Sequence, residues 1–281
     1  MKKSTKTKKM KKEVSITVKD LRIRYRGLKK FSIKKSLLKM KTGRFEIFEA
    51  LKGVSFEVEK GKILGIVGKN GSGKSTLLRS IAGIFSPDTG SIDLHGNTIS
   101  LLSIGVGFQP ALTGYENIFL SGMLLGFSEE QVKDKLDDII EFSELGDFIY
   151  SPVKTYSSGM YSKLAFSITA ILETDIMLID EVLSVGDIQF KAKSYAKMKE
   201  LIDDENRTVV IVSHSTATLR ELCDEILWLH EGNIKMQGDC DEVLDKYQEF
   251  MESDAKKREE AKQKEEEELA KAIKKQNEKS A

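Results

Sequence analysis

The sequence predicts an α/β fold organised around a mostly parallel sheet. Three apolar runs carry that expectation: ILGIVG (63–68), DIMLID (175–180) and TVVIVS (208–213). Each is short and continuously apolar, as in a strand buried on both faces, and each leads directly into a helix or loop. Between the first two lies a long stretch of helical periodicity, which fits the alternation expected of an α/β sheet with a helical insertion.

The elements follow in order. VSITVKDLRIRY (14–25) alternates apolar and polar residues like a strand of an antiparallel sheet. A basic segment from Arg26 to about Lys41 has the spacing of a short amphipathic helix. FEALKGVSFEVEKGK then returns to strand alternation and ends in a turn. The buried run at 63–68 opens through a glycine-rich turn into the helix STLLRSIAGIF, which stops before Pro87. From about Leu112 to Ala170 the period is mainly helical, and EEQVKDKLDDIIEFSEL sets its apolar residues on one stripe. EILWLHEGNIKMQG reads as a hairpin turning at Glu231-Gly232-Asn233. Beyond about Ser253 the chain is densely charged, with Glu260/Lys264 and Glu267/Lys271 at helical spacing, and reads as a solvated helix or a disordered tail.

Composition narrows the function classes. The chain has 281 residues, 40% of them apolar, enough for a sizeable core. Lys plus Arg number 45 against 44 Asp plus Glu, a balance that predicts no general attraction to nucleic acid. The first twelve residues nevertheless carry seven lysines and no acid. Cys223 and Cys240 are too few for a disulfide framework, and with three histidines there is little material for a metal cluster. No apolar run approaches the roughly 18–20 residues that span a bilayer, so any work at a membrane is expected to go through a partner.

GKNGSGKST, Gly68 to Thr76, matches G-x-x-x-x-G-K-[ST] after a buried strand and before a helix, the context that motif requires. Gly68, Gly71 and Gly73 let the backbone turn its N–H groups inward around phosphate oxygens. Lys69, Asn70, Ser72 and Thr76 complete the cradle, and the following helix adds its positive end. Lys74 is expected to reach the β- and γ-phosphates of a nucleoside triphosphate, and the Ser75 hydroxyl to ligate Mg²⁺. Asp180 ends the second buried strand, where such sheets place their ligands, and is positioned to hold Mg²⁺ through its water shell. Glu181, one residue on, is suited to orient and deprotonate an attacking water, so the pair implies hydrolysis as well as binding. YSSGM (156–160), taken alone, is a serine- and glycine-rich turn before a helix.

Taken together, the order of the GKNGSGKST loop, YSSGM, IDEVLSVGD and VSHS resembles the nucleotide-binding subunit of an ABC transporter. The resemblance covers about residues 14–250 and implies a P-loop NTPase fold of the ABC type: a RecA-like parallel sheet core, an antiparallel β subdomain and a helical subdomain at about 112–165. It leaves 1–13 and 251–281 as tails. In that family ATP lies between two domains packed head to tail, each facing a signature sequence, usually LSGGQ, of the other. YSSGM stands at that place, keeping Ser157 and Gly159 while Tyr156, Ser158 and Met160 depart from it. The resemblance therefore implies a homodimer in which Ser157, Ser158 and Gly159 meet the γ-phosphate in trans. It makes His214 the switch histidine, Asp187 part of the loop crossing the dimer interface, and Gln109 the glutamine linking Mg²⁺ and water to the transporter. Tyr25, at the end of the first strand, becomes either the adenine-stacking aromatic or a plain strand residue.

Within the family, EFSELGDFIYSPVKTYSSGM and IDEVLSVGDIQFKAK resemble the subunits that export lipid-linked polysaccharides, teichoic acid above all. That likeness implies two copies of a separate permease, a lipid-linked glycan polymer as cargo, no nucleic acid, and a peripheral place on the cytoplasmic face of the membrane. Capsule, O-antigen or rhamnose-type export is the nearby alternative, and a soluble ABC ATPase acting on ribosomes or DNA the remote one.

Overall fold

The computed structural model describes residues 13–27, 46–102, 107–180 and 187–278. The basic N-terminal run, the whole segment between the first two strands, where most of the short amphipathic helix expected from Arg26 to about Lys41 would fall, and Glu181 lie outside the described residues. Among those described, two sheets and a helical layer account for the architecture.

The first sheet is antiparallel and three-stranded, in the order β2-β1-β4. Strands β1 (Val14–Gly27) and β2 (Glu46–Glu59) each run for 14 residues, and β4 is Thr89–Asp93. The period-2 pattern predicted for β1 is realised as an inward row of Ile16, Val18, Leu21 and Ile23. The row shifts its step between Val18 and Leu21, where the register is irregular and Asp20 adopts φ 43°.

The second sheet is six-stranded, in the order β5-β6-β7-β3-β8-β9. Its strands are β3 (Ile63–Val67), β5 (Ile99–Leu102), β6 (Ile176–Asp180), β7 (Thr208–Val212), β8 (Glu225–His230) and β9 (Asn233–Asp239). The first five in spatial order pair in parallel, and β9 closes the edge antiparallel to β8. The hairpin joining β8 to β9 turns on Glu231 (φ 49°) and Gly232 (φ 81°). Two consecutive positive φ angles match the twist of the flanking strands.

The helices are α1 (Lys74–Ile81), α2 (Gly114–Leu124), α3 (Glu129–Asp134), α4 (Leu136–Ser143), α5 (Ser158–Ile171), α6 (Ile188–Ile202), α7 (Thr216–Leu222) and α8 (Cys240–Glu278). Two features go beyond what the sequence pattern shows. The stripe over 129–145 is broken at Lys135 into α3 and α4 rather than forming one helix. Strands β4 and β5 were not anticipated: TGSID is too polar and ISLL too short to show a period.

Three cores result. One face of the parallel sheet packs Leu64, Ile66 and Val212 against the antiparallel sheet and α1. The other packs Val67, Ile179 and Ile211 against Phe166 of α5, Phe190 of α6 and Val243 of α8. A third core belongs to the helical layer, with Ile118, Val132, Ile139, Ile149, Leu164 and Ile168 fully or almost fully buried. Helix α5 serves both of the last two cores, because Phe166 and Leu164 leave it in different directions. Helix α8 continues unbroken through residue 250, where the charged tail was expected to begin.

Candidate functional site

Register builds the site. Ile66 of β3 pairs with Val212 of β7, and Val212 pairs with Asp180 of β6. The carboxyl ends of three adjacent parallel strands thus finish in one row, delivering Gly68, Asp180 and His214 to the same edge of the sheet.

The loop from Gly68 to Gly73 is held by the fold as well as by its own turns. Gly73 has φ 105°, and a Cβ there would stand 2.7 Å from the Ala50 carbonyl oxygen. A Cβ on Gly68 would meet the Leu229 carbonyl oxygen at 2.2 Å. Gly71 has φ 80° and faces open space, with nothing within 4 Å of an added Cβ. Its glycine answers to backbone conformation, theirs also to crowding. The Gly232 N–H donates to Ser72 O (3.0 Å), tying the loop to the β8–β9 hairpin. Ser72 Oγ is buried without a hydrogen-bond partner among the described residues. A buried unsatisfied hydroxyl inside a glycine cradle suits an anion or water that completes it.

Lys74 is 6% exposed and donates from Nζ to Gly68 O (2.7 Å) and Lys69 O (3.2 Å). Its charge is therefore gathered inside the loop. Ser75 Oγ lies 3.5 Å from Asp180 Oδ1, a long donation with the two oxygens facing one another. Asn70 is exposed at the mouth of the loop. Lys69 turns its side chain away, ion-pairing with Asp254 of α8 and lying 4.7 Å over the Phe250 ring. A cavity between loop and helix is lined by Gly68, Asn70, His214, Tyr247 and Met251.

His214 is exposed just past β7, beyond Ser213, whose Oγ accepts from Ser215 N (3.1 Å). Tyr25 shares a 3.2 Å hydrogen bond between its hydroxyl and Thr76 Oγ1, and its ring meets Phe85 edge-on at 6.1 Å. It is 38% exposed beside its register partner Phe48, which is 56% exposed. Phe48 was not singled out from the sequence, where it reads as one more strand aromatic.

Gln109 is exposed, and its backbone is clamped by Asn117 of α2. Gln109 N donates to Asn117 Oδ1 (2.7 Å), and Asn117 Nδ2 donates back towards Gln109 O (3.1 Å) and Thr113 O (2.8 Å). Asn117 is fully buried and was also missed. A buried asparagine within an apolar helical stripe was its only signal.

Ser157 caps α5, its Oγ accepting from Met160 N (3.2 Å), with Ser158 exposed beside it. Among the described residues, a Cβ on Gly159 would meet only Ser157 Oγ, at 3.8 Å, an ordinary contact that does not demand glycine. Tyr156 donates its hydroxyl to Phe148 O (2.7 Å), rooting the segment in the helical layer. Asp187 caps α6, accepting from Gln189 N and Phe190 N at 3.1 and 3.0 Å. Its carboxyl is lowered to about 2, first by the hydrogen bond from Lys163 and then by the Phe190 N–H.

A glycine cradle at the carboxyl edge of a parallel sheet, with a buried lysine inside it and a serine facing an aspartate, defines a P-loop nucleotide-binding protein. Residues 51–184 match the family model described as ABC transporter. The O-antigen export system ATP-binding protein of Klebsiella pneumoniae is 42% identical over 202 residues, covering 72% of this chain and 82% of that protein. The teichoic acids export ATP-binding protein TagH of Bacillus anthracis is 46% identical over 206 residues, 73% of this chain but 37% of that longer protein. A solved structure of the ATP binding subunit of an ABC transporter matches with a TM-score of 0.62 at 24% identity, over 83% of this chain and 92% of that one. The chain belongs to the ABC transporter ATP-binding protein family.

Proposed function

We propose that this chain is the ATP-hydrolysing subunit of an exporter that moves a lipid-linked cell-surface polymer, wall teichoic acid, across the cell membrane. The observation that carries the catalytic part is the row formed by Gly68, Asp180 and His214 at one sheet edge. Backbone N–H groups of Gly68–Thr76 receive the phosphates, and Lys74 exchanges its two loop carbonyls for phosphate oxygens. Ser75, Asp180 and Gln109 form the donor set for Mg²⁺, an all-oxygen set that suits a hard cation. When bound, the cation offsets negative charge on the phosphates. Glu181 follows Asp180 as the group that takes the proton of the attacking water, with His214 facing the same phosphate. Tyr25, partly exposed, supplies the adenine platform, with Phe48 beside it.

Ser157, Ser158 and Gly159 act on the nucleotide of a second copy. The exposed place of Ser157 and Ser158 at the start of α5, with open room beside Gly159 among the described residues, supports this. Ile188, 86% exposed at the start of α6, offers apolar surface to the same partner. Two copies of a separate permease dock on the membrane side, at the apolar groove of roughly 300 Å³ lined by Ile84, Thr98, Leu101, Leu124 and Gly126. No described helix is long and apolar enough to cross a membrane; in this reading the polymer passes through that permease. The cargo assignment rests on relatives named for teichoic acid export. Relatives named for O-antigen export match at similar identity, which makes an O-antigen-type polysaccharide the second reading.

Two experiments test these statements. Glu181→Gln is expected to bind ATP and trap a closed dimer while hydrolysis is lost; undiminished turnover would remove Glu181 from the base role. Depleting the protein in its native cell should accumulate lipid-linked polyol-phosphate chains inside, read by mass spectrometry. Phosphate-poor glycans would select the second reading, and no accumulation would end the polymer proposal.

A further inference from the structure

Lys163 lies on α5, about one turn beyond Gly159 and under two turns beyond Ser157. Its side chain is 15% exposed and reaches two carboxylates from two other helices. Nζ stands 2.7 Å from Asp187 Oδ2, at the N-cap of α6, and 3.4 Å from Glu144 Oε2, at the end of α4. Below it lies the fully buried Phe190 ring, 5.0 Å from the ammonium. A second lysine, Lys193 of α6, holds the other oxygen of Glu144 at 3.0 Å and donates to Phe142 O at 3.1 Å. Every one of these contacts crosses from one helix to another.

Stability alone does not account for the cluster. Asp187 and Glu144 are 60% and 41% exposed, and ion pairs so open to water contribute about 0–1 kcal/mol. What the cluster does supply is direction. Asp187 already accepts the first free N–H groups of α6 through Oδ1, so the Lys163 contact through Oδ2 fixes where that helix begins relative to α5. The Glu144 contact fixes α5 relative to the helical layer in the same way.

We infer that Lys163 is a positioning residue: by bridging Asp187 and Glu144 it sets the first turn of α5 and the start of α6 in one fixed relation, so that Ser157 and Gly159 meet the second copy's nucleotide. This rests on the proposed hydrolysis at a two-copy interface. Lys163 itself touches no nucleotide. Its loss should misplace the trans ligands while leaving the P-loop intact, and an error of about 1 Å is enough to cost up to about a hundredfold in rate.

The test compares Lys163→Gln, Lys163→Arg and Asp187→Asn in the full chain, with steady-state ATP hydrolysis and thermal melting measured together. Asp187→Asn keeps an oxygen to cap α6 while removing the charge that Lys163 holds. Lys163→Gln and Asp187→Asn should each lower kcat roughly ten- to hundredfold with KM for ATP changed less than about twofold. Lys163→Arg, able to span both carboxylates, should recover most of the loss. The double variant should be no slower than the worse single variant, since both remove one contact. Wild-type kcat in either single variant, or a defect confined to KM, would overturn the inference while hydrolysis stands. So would an arginine variant no better than the glutamine one. A wild-type chain that binds ATP without ever hydrolysing it would bring down the hydrolysis reading and this inference together.

Discussion

Single residues in the phosphate loop differ in why they are fixed. Gly71 and Gly73 both have positive φ, but only Gly73 is pressed against neighbouring backbone, at Ala50 O. Alanine at Gly71 should cost about 1 kcal/mol, the strain of a left-handed residue. Alanine at Gly73 adds a backbone clash, so thermal melting without nucleotide should show a clearly larger loss. Equal melting shifts would mean that the loop relaxes away from Ala50. The motif identifies both glycines in the sequence, but the ranking depends on β2, which approaches from more than twenty residues upstream.

At the scale of elements, α2 and the segment before it form one unit. Thr113 and Glu116 make a reciprocal cap, with Thr113 Oγ1 accepting from Glu116 N and the Glu116 carboxylate accepting from Thr113 N. Asn117, a turn later, reaches back to Gln109 and Thr113. Replacing Asn117 by leucine leaves the Gln109 N–H without its acceptor, while the carbonyls that Asn117 also reaches keep their backbone donors, a loss of about 1–3 kcal/mol. The expected signature is local: faster amide exchange at residues 109–113, with little change in α5. Unchanged exchange there would show that the segment is held by its other contacts. The cap was readable as T-x-x-E in the sequence; the clamp was not, because a side chain's reach across a turn leaves no periodic trace. The same limit explains the broken stripe at Lys135, where packing of α4 against α5 overrides a continuous pattern.

Over the whole molecule, α8 ties the phosphate loop to the far edge of the sheet. Phe250 packs on Trp228 and His230, at 5.2 and 5.1 Å between ring centroids, and takes Lys69 and Lys235 over its ring at 4.7 and 3.6 Å. Phe250→Ala should destabilise the protein by about 1–3 kcal/mol, less than a fully buried phenylalanine, because its site is only partly enclosed. Trp228 is the sole tryptophan, so its fluorescence should report the loosening of α8 directly. A melting loss without any change in that emission would place the damage elsewhere.

The sequence by itself determined the strands at 63–67, 176–180 and 208–212, the phosphate loop between a strand and a helix, and the family to which the chain belongs. Those are local facts, carried by runs of apolar residues and by glycine, lysine and serine at fixed spacing. Only the tertiary structure decided that Ile66, Val212 and Asp180 share a row, that Asn117 clamps Gln109, and that Lys163 joins three helices. Those depend on register and on the reach of side chains between elements distant in the chain. Sequence order sets neither until the sheet has paired and the cores have closed.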